Sequence, residues 1–102
     1  MAIQIGRYNF EGPYQSTASL ADLSGVYAIL SRNRTRYDPV DIGESAQVKT
    51  RVETHDRKEC WRQHAIGALV VAVYDTPGLQ QAGHHAIEQE LRRQFEWPCG
   101  DR

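Results

Sequence analysis

The stretch from Gly25 to Gly43, GVYAILSRNRTRYDPVDIG, decides how this chain folds. Its first part, Gly25-Val26-Tyr27-Ala28-Ile29-Leu30, is apolar and rich in β-formers, and it reads as a strand. Residues 31–38 are polar, carry Arg32, Arg34 and Arg36, and read as a loop or hairpin end. Pro39-Val40-Asp41-Ile42-Gly43 reads as a second short strand, with proline at its entry, where no ladder donor is needed. The two strands are close enough in sequence to pair antiparallel.

Downstream, Ser45 is a candidate N-cap for a helix running to about Glu53 or His55, with Ala46, Val48 and Val52 as its apolar stripe. Asp56 to Gln63 is polar apart from Cys60-Trp61. Ala65 to Tyr74 is a continuous, Val-rich apolar run, which predicts a central strand covered on both faces. Asp75-Thr76-Pro77-Gly78 is a turn signal. A helix is expected from about Gln80 to Phe95, with Ile87, Leu91 and Phe95 at i, i+4 and i+8, and Trp97-Pro98-Cys99-Gly100 stops it. Upstream, the first 24 residues read as an irregular approach, with a short strand at Tyr8–Phe10, a break at Gly12-Pro13 and one or two helical turns between Thr17 and Leu23. The order β-β-α-β-α predicts an α+β fold: a small, three-stranded, mainly antiparallel sheet flanked by helices.

Composition bounds the function. The chain has 102 residues, 40% hydrophobic and 25% charged, which fits one domain with one real core. Twelve basic and thirteen acidic residues give a net charge of −1, which excludes a strongly basic nucleic-acid coat protein. A local basic patch is still open: residues 32–62 hold eight basic and six acidic side chains. Nothing resembles a targeting or membrane segment, so a cytoplasmic protein is expected. On that reading Cys60 and Cys99 are reduced thiols.

Helical spacing places some polar residues beside the core. Val48, Arg51, Val52 and His55 share one face of the first helix, so Arg51 and His55 lie at or near its packed side. The guanidinium then needs a partner, or snorkels to solvent. On the last helix Glu88 lies next to the core stripe, as a metal ligand or as an ion-pair partner of Arg51 or His84. Arg92-Arg93 read as solvated surface. Cys60-x3-His64 with His84-His85 offers four zinc donors, but in a spacing that matches no familiar zinc pattern, and adjacent histidines point to different faces of a helix.

In order along the chain, these features resemble the GIY-YIG nuclease superfamily. Gly25-Val26-Tyr27 resembles the first triplet and Asp41-Ile42-Gly43 stands where the second would be. Val48-x-x-Arg51-Val52-x-x-His55 resembles the helix that carries the family's arginine. Glu88-x-x-Leu91, followed by Trp97-Pro98, resembles the helix with its metal-binding glutamate. The match spans about residues 24 to 98.

The resemblance implies a metal-dependent DNA endonuclease. Glu88 would hold one Mg²⁺ (or Mn²⁺), which keeps several waters and tolerates a single protein carboxylate. Tyr27 would orient or deprotonate the attacking water, Arg51 would neutralise the non-bridging oxygens, and His55 would support the site or contact phosphate. Arg32, Arg34 and Arg36 are candidate nucleic-acid contacts. Asp41 departs from the pattern. As aspartate it is a candidate base or second metal ligand, yet it adds negative charge where phosphate would bind. Pro98-Cys99-Gly100 also lacks the family's following asparagine. The competing expectation is a binding module with a decayed site. In either case specificity would come from a protein partner or from homodimerisation.

Overall fold

The computed structural model describes residues 2–75 and 81–99. Strands β1 (Ala2–Ile5), β2 (Tyr8–Tyr14), β3 (Gly25–Asn33), β4 (Arg36–Ser45) and β5 (Ala68–Asp75) form one sheet in the spatial order β1-β2-β5-β3-β4. Every pairing is antiparallel. Helices α1 (Val48–Glu53) and α2 (Lys58–Gln63) join β4 to β5, and α3 (Gln81–Gln94) follows β5. A 3-10 turn at Thr17–Ser19 lies between β2 and β3. Among the described residues, no helix is long and apolar enough to cross a membrane.

This corrects the expected three-stranded sheet in β-β-α-β-α order. The N-terminal segment is not irregular; it is a hairpin that adds two strands. Its signal lay in Ile3 and Ile5, which alternate with polar residues ahead of Gly6. Glycine suits that turn because its φ is +59°, a left-handed conformation that costs a side chain energy. Gly12-Pro13 does not end the strand either. The pair sits inside β2, where the register against β5 shifts between Glu11 and Tyr14, and proline is tolerated at such an irregularity.

The hairpin from Gly25 to Gly43 forms as expected, but its strands are longer. They run to Asn33 and restart at Arg36, leaving Arg34 and Thr35 as a two-residue loop, with Arg34 at φ +63°. The first helix is shorter than expected. Ser45 does not cap it directly; its hydroxyl accepts the Gln47 N–H at 2.9 Å. Asp22 supplies a cap from a distance, accepting the Thr50 N–H at 3.0 Å and its hydroxyl at 2.7 Å. Those bonds from Thr50 hold the Asp22 pKa below its ordinary value. Helix α2 had no legible signal, since six residues carry too little periodicity. The expected turn after Asp75 runs into residues 76–80 and lies outside the described ones.

The sheet is covered on both faces. Val26, Ala28, Leu30, Ile42, Val70 and Ala72 pack with Ile87, Leu91 and Trp97 on the α3 side. Ile29, Val40, Val71 and Val73 pack with Val48, Val52 and Trp61 on the other side. Strand β5 lies at the centre of the strand order and contributes to both clusters, which is why its sequence is apolar without alternation.

Phe10 of the overlooked hairpin is wholly buried in the α3-side cluster. Phe10→Ala is expected to lower unfolding stability by about 3–5 kcal/mol in urea denaturation. A change of less than about 1 kcal/mol would place β2 outside the core.

Candidate active site

The site is built along β4, the strand at one edge of the sheet. Between Ile29 and Leu30 of β3, the pairing jumps from Asp41 to Pro39, so Val40 is an extra residue. Such a bulge re-aims neighbouring side chains, and here it sends Asp41 toward α2. Asp41 is fully buried. Its Oδ2 accepts the Arg57 Nε–H at 2.8 Å and the Trp61 indole N–H at 2.7 Å. Its Oδ1 accepts the Ile42 N–H at 2.8 Å and lies 3.5 Å from Arg92 Nη2. Burial alone would lower the Arg57 pKa; the hydrogen bond and charge of Asp41 outweigh it and hold it raised.

Arg92 was expected on a solvated surface, and the structure corrects this. Its side chain is buried, its Nη2 donates to the Ile42 carbonyl, and its Nε and Nη2 donate to Glu88 Oε2 at 3.2 and 3.1 Å. Arg92 therefore bridges the edge of β4, from Glu88 on α3 to Asp41 on the opposite side. Glu88 thus pairs with Arg92, not with Arg51 or His84. Its Oε1 receives a bond from Gln89 Nε2 at 3.2 Å and lies 3.5 Å from His85 Nδ1.

Tyr27, Arg51 and His55 form a second group beside this one. Tyr27 pairs with Gly43 across the β3–β4 ladder. A Cβ on residue 43 would collide with the Tyr27 hydroxyl, so the tyrosine needs glycine there. Burial pushes the Tyr27 pKa up to about 12, against the opposing pull of Arg51. The phenol is therefore protonated at neutral pH, suited to hold a neighbour and not to abstract a proton. Its ring meets His55 edge-on, with centroids 5.9 Å apart, and His55 in turn lies 4.7 Å from the Trp61 ring.

His55 sits just beyond the C-terminus of α1 and is nearly fully buried. Its Nδ1 accepts the Arg57 N–H at 3.1 Å, which leaves the ring proton on Nε2. Burial, then Arg51 and Arg57, push its pKa down to about 4, so it is neutral at pH 7. Arg51 is partly exposed and lies 3.5 Å from Asp56. Two buried donors of the site, His55 Nε2 and Arg92 Nη1, have no hydrogen-bond partner among the described residues. Unpaired buried donors are costly.

Glu88 is placed by its neighbours on α3. One turn before it, His84 lies 3.8 Å from Glu44 and 2.9 Å from the Ser24 hydroxyl; one turn after it, Arg92 bonds Ile42. Glu88 therefore lies level with Gly43, the residue against which the Tyr27 hydroxyl packs. The sequence-predicted Tyr27, Asp41, Arg51 and His55 thus lie together on the α1–α2 side of β4, whereas Glu88 lies on the α3 side, level with the same segment. Arg32, Arg34 and Arg36 do not join them. They are exposed at the far end of the hairpin, and Arg32 is about 17 Å along β3 from Tyr27. Arg36 bonds Asp38 at 2.8 Å.

Arg57, Trp61 and Arg92 are the site residues that sequence reasoning missed. Arg57 and Trp61 lie on the short helix α2 and its cap. Arg92 follows Glu88 at i+4 and carried a legible signal, since a core-edge carboxylate calls for a cation one turn away. The expectation of reduced thiols is corrected too: Cys60 and Cys99 form a disulfide. No family model, no curated protein and no solved structure matches the chain.

Removing one member of a buried ionic cluster strands the others. Asp41→Asn is expected to cost about 3–5 kcal/mol in urea denaturation; wild-type stability in that variant would mean that the carboxylate does not organise the cluster. His55 gives a pH signature. Its folded pKa lies below the unfolded one, so between pH 6.5 and 4 the unfolded chain binds more protons and stability falls with acidification. Unfolding curves at pH 7 and pH 4 should show a smaller loss for His55→Gln than for the wild type.

Proposed function

We propose that this protein is a metal-dependent endonuclease that hydrolyses phosphodiester bonds in DNA, of the GIY-YIG type. The observation that carries the reading is the convergence on Gly43: the Tyr27 hydroxyl packs against it, and Glu88 lies level with it across the strand edge. Arg51 and His55 stand beside Tyr27. These are the residues that the sequence resemblance singles out, and the reading needs Glu88 and the Tyr27 group to act from the two sides of the β4 edge.

A divalent ion fits the donor set. Glu88 Oε2 is committed to Arg92, whereas Oε1, among the described residues, has the bond from Gln89 and the neighbouring His85. Glu88 would hold Mg²⁺ or Mn²⁺ through that oxygen, with waters completing the shell. When bound, the ion supplies Lewis acidity at phosphate oxygen and lowers the pKa of water. The chain's own residues do the rest. Arg51, partly exposed, neutralises the non-bridging phosphate oxygens. Tyr27, enclosed and protonated, positions Arg51. Neutral His55, buried between Tyr27 and Trp61, supports the site behind Tyr27. A water oxygen bonds to phosphorus, the bond to the leaving sugar oxygen breaks, and one proton of that water ends on the leaving oxygen while the other stays on the new phosphate.

Asp41 has no part in this chemistry. With both oxygens engaged and no exposure, it serves neither as base nor as second metal ligand; it positions Arg57 and Arg92. The weak positive balance of residues 32–62 implies modest, salt-sensitive DNA affinity, with the exposed hairpin arginines as distal phosphate contacts and a partner or a second copy supplying specificity. A cytoplasmic location belongs to the same proposal.

One observation favours the second reading, a nucleic-acid or protein binding module. Arg92 neutralises Glu88 at 3.1 Å and competes with a cation for it. Incubating purified protein with branched, single-stranded and duplex DNA separates the readings. The enzyme should cleave with Mg²⁺ or Mn²⁺, lose activity in Glu88→Gln, and slow at least about 100-fold in Arg51→Ala. DNA binding without cleavage, with no Mn²⁺ bound at Glu88 by calorimetry, would establish the module instead.

A further inference from the structure

Helix α2 and the C-terminal segment bring together three metal-ligating side chains away from Glu88. Cys60 and His64 are one helical turn apart, and Cys99 arrives from the far end of the chain, anchored by its N–H to the Val40 carbonyl at 2.9 Å. The ligand atoms of Cys60, His64 and Cys99 all lie within 4.8 Å of one another. His64 Nδ1 is 3.5 Å from Cys60 Sγ and 3.7 Å from Cys99 Sγ. In a tetrahedral zinc site, bond lengths of about 2.3 Å to sulfur and 2.05 Å to nitrogen put N and S about 3.5 Å apart and two sulfurs about 3.8 Å apart. Both nitrogen–sulfur edges already have that spacing. Only the sulfur–sulfur edge does not, because the two atoms are bonded in the disulfide.

We infer that Cys60, His64 and Cys99 form a zinc site in the reduced protein, and that the disulfide is the metal-free, oxidised state of the same site. Two thiolates and an imidazole suit Zn²⁺ and not Mg²⁺, so the site is chemically separate from Glu88. Three protein ligands leave a fourth position for water. His64 is exposed and Cys60 partly so, which gives an ion a path in. His64 Nδ1 also lies 3.0 Å from the Cys60 carbonyl. Coordination takes Nδ1 from that contact and leaves the ring proton on Nε2. The sequence pattern offered His84 and His85 as partners of Cys60 and His64; the fold sends His84 to Ser24 and Glu44 and supplies Cys99 in their place.

The two states interconvert with balanced chemistry. A dithiol reductant gives two electrons and two protons, the Cys60–Cys99 bond breaks, and the reductant becomes a disulfide. Zn²⁺ then displaces two thiol protons. A disulfide oxidant reverses this: it takes two electrons, the sulfurs rejoin and Zn²⁺ leaves. In both end states α2 stays tied to the C-terminal segment. Only the reduced, metal-free chain loses the tie.

The test reduces the full chain with a phosphine, strips metal with a chelator, removes both and titrates Zn²⁺ and Co²⁺ without oxygen. Expected are one thiolate-ligated ion per chain, a thiolate-to-Co²⁺ charge-transfer band with four-coordinate visible bands, and a melting temperature that zinc raises toward that of the oxidised protein. The oxidised protein should show no thiolate-to-Co²⁺ charge-transfer band and bind one ion fewer than the reduced protein. His64→Ala, at an exposed position that leaves folding intact, should weaken zinc binding about tenfold or more. Absence of zinc binding in the reduced chain, equal binding in the oxidised chain, or unchanged affinity in His64→Ala would each overturn the inference.

Discussion

A carboxylate with no access to water must be surrounded by donors, and around Asp41 that requirement organises one side of this protein. Arg57, Trp61, Arg92 and the Ile42 N–H converge on its two oxygens. They come from the cap and body of α2, from α3 and from β4 itself. Desolvation makes each partner necessary, since a buried charge without its counterpart costs several kcal/mol. Two helices on opposite faces of the sheet are thereby fixed to one strand edge. Arg92 on the Ile42 carbonyl and Cys99 on the Val40 carbonyl also occupy acceptors of β4 that would otherwise be an open template for edge-to-edge pairing.

The candidate site inherits its geometry from that edge. The bulge at Val40 turns Asp41 toward α2, and two residues later Gly43 leaves room for the Tyr27 hydroxyl. His55 is pressed between Tyr27 and Trp61 while Arg57, held by Asp41, donates to its Nδ1. The electrostatics follow from burial more than from any single charge: enclosure keeps both the phenol and the imidazole neutral. Positive charge comes instead from arginines, with Arg51 reaching solvent.

The strands β3 and β5 and helix α3 were legible because each carries an apolar pattern, β4 because its short Val40–Ile42 segment follows β3 closely enough to pair with it, and Arg51, His55 and Glu88 because helical spacing put them beside such patterns. The N-terminal hairpin was not read, although Ile3, Ile5 and Gly6 signalled it, because Gly12-Pro13 outweighed them; the irregular β2–β5 register accommodates that pair. Helix α2 was illegible for want of length. Glu88 one turn earlier signals a partner for Arg92, but a charge at a helix surface is ordinarily solvated, and its burial comes from the Ile42 carbonyl and Asp41 across β4.

Local chemistry along the chain determined that β3, β4 and β5 extend and α3 coils, and that Arg51, His55 and Glu88 border the core, since those follow from spacing. Tertiary structure decided everything that depends on who meets whom. Asp41 occupies a position where the resembled family places a catalytic side chain, yet it became a structural anchor because α2 and α3 deliver Arg57, Trp61 and Arg92 to it. Cys60 and Cys99, 39 residues apart, meet because the C-terminal segment returns along β4. Charge pairing and sulfur chemistry act at distances of a few ångströms, and no spacing in the sequence fixes which distant residues the fold will bring that close.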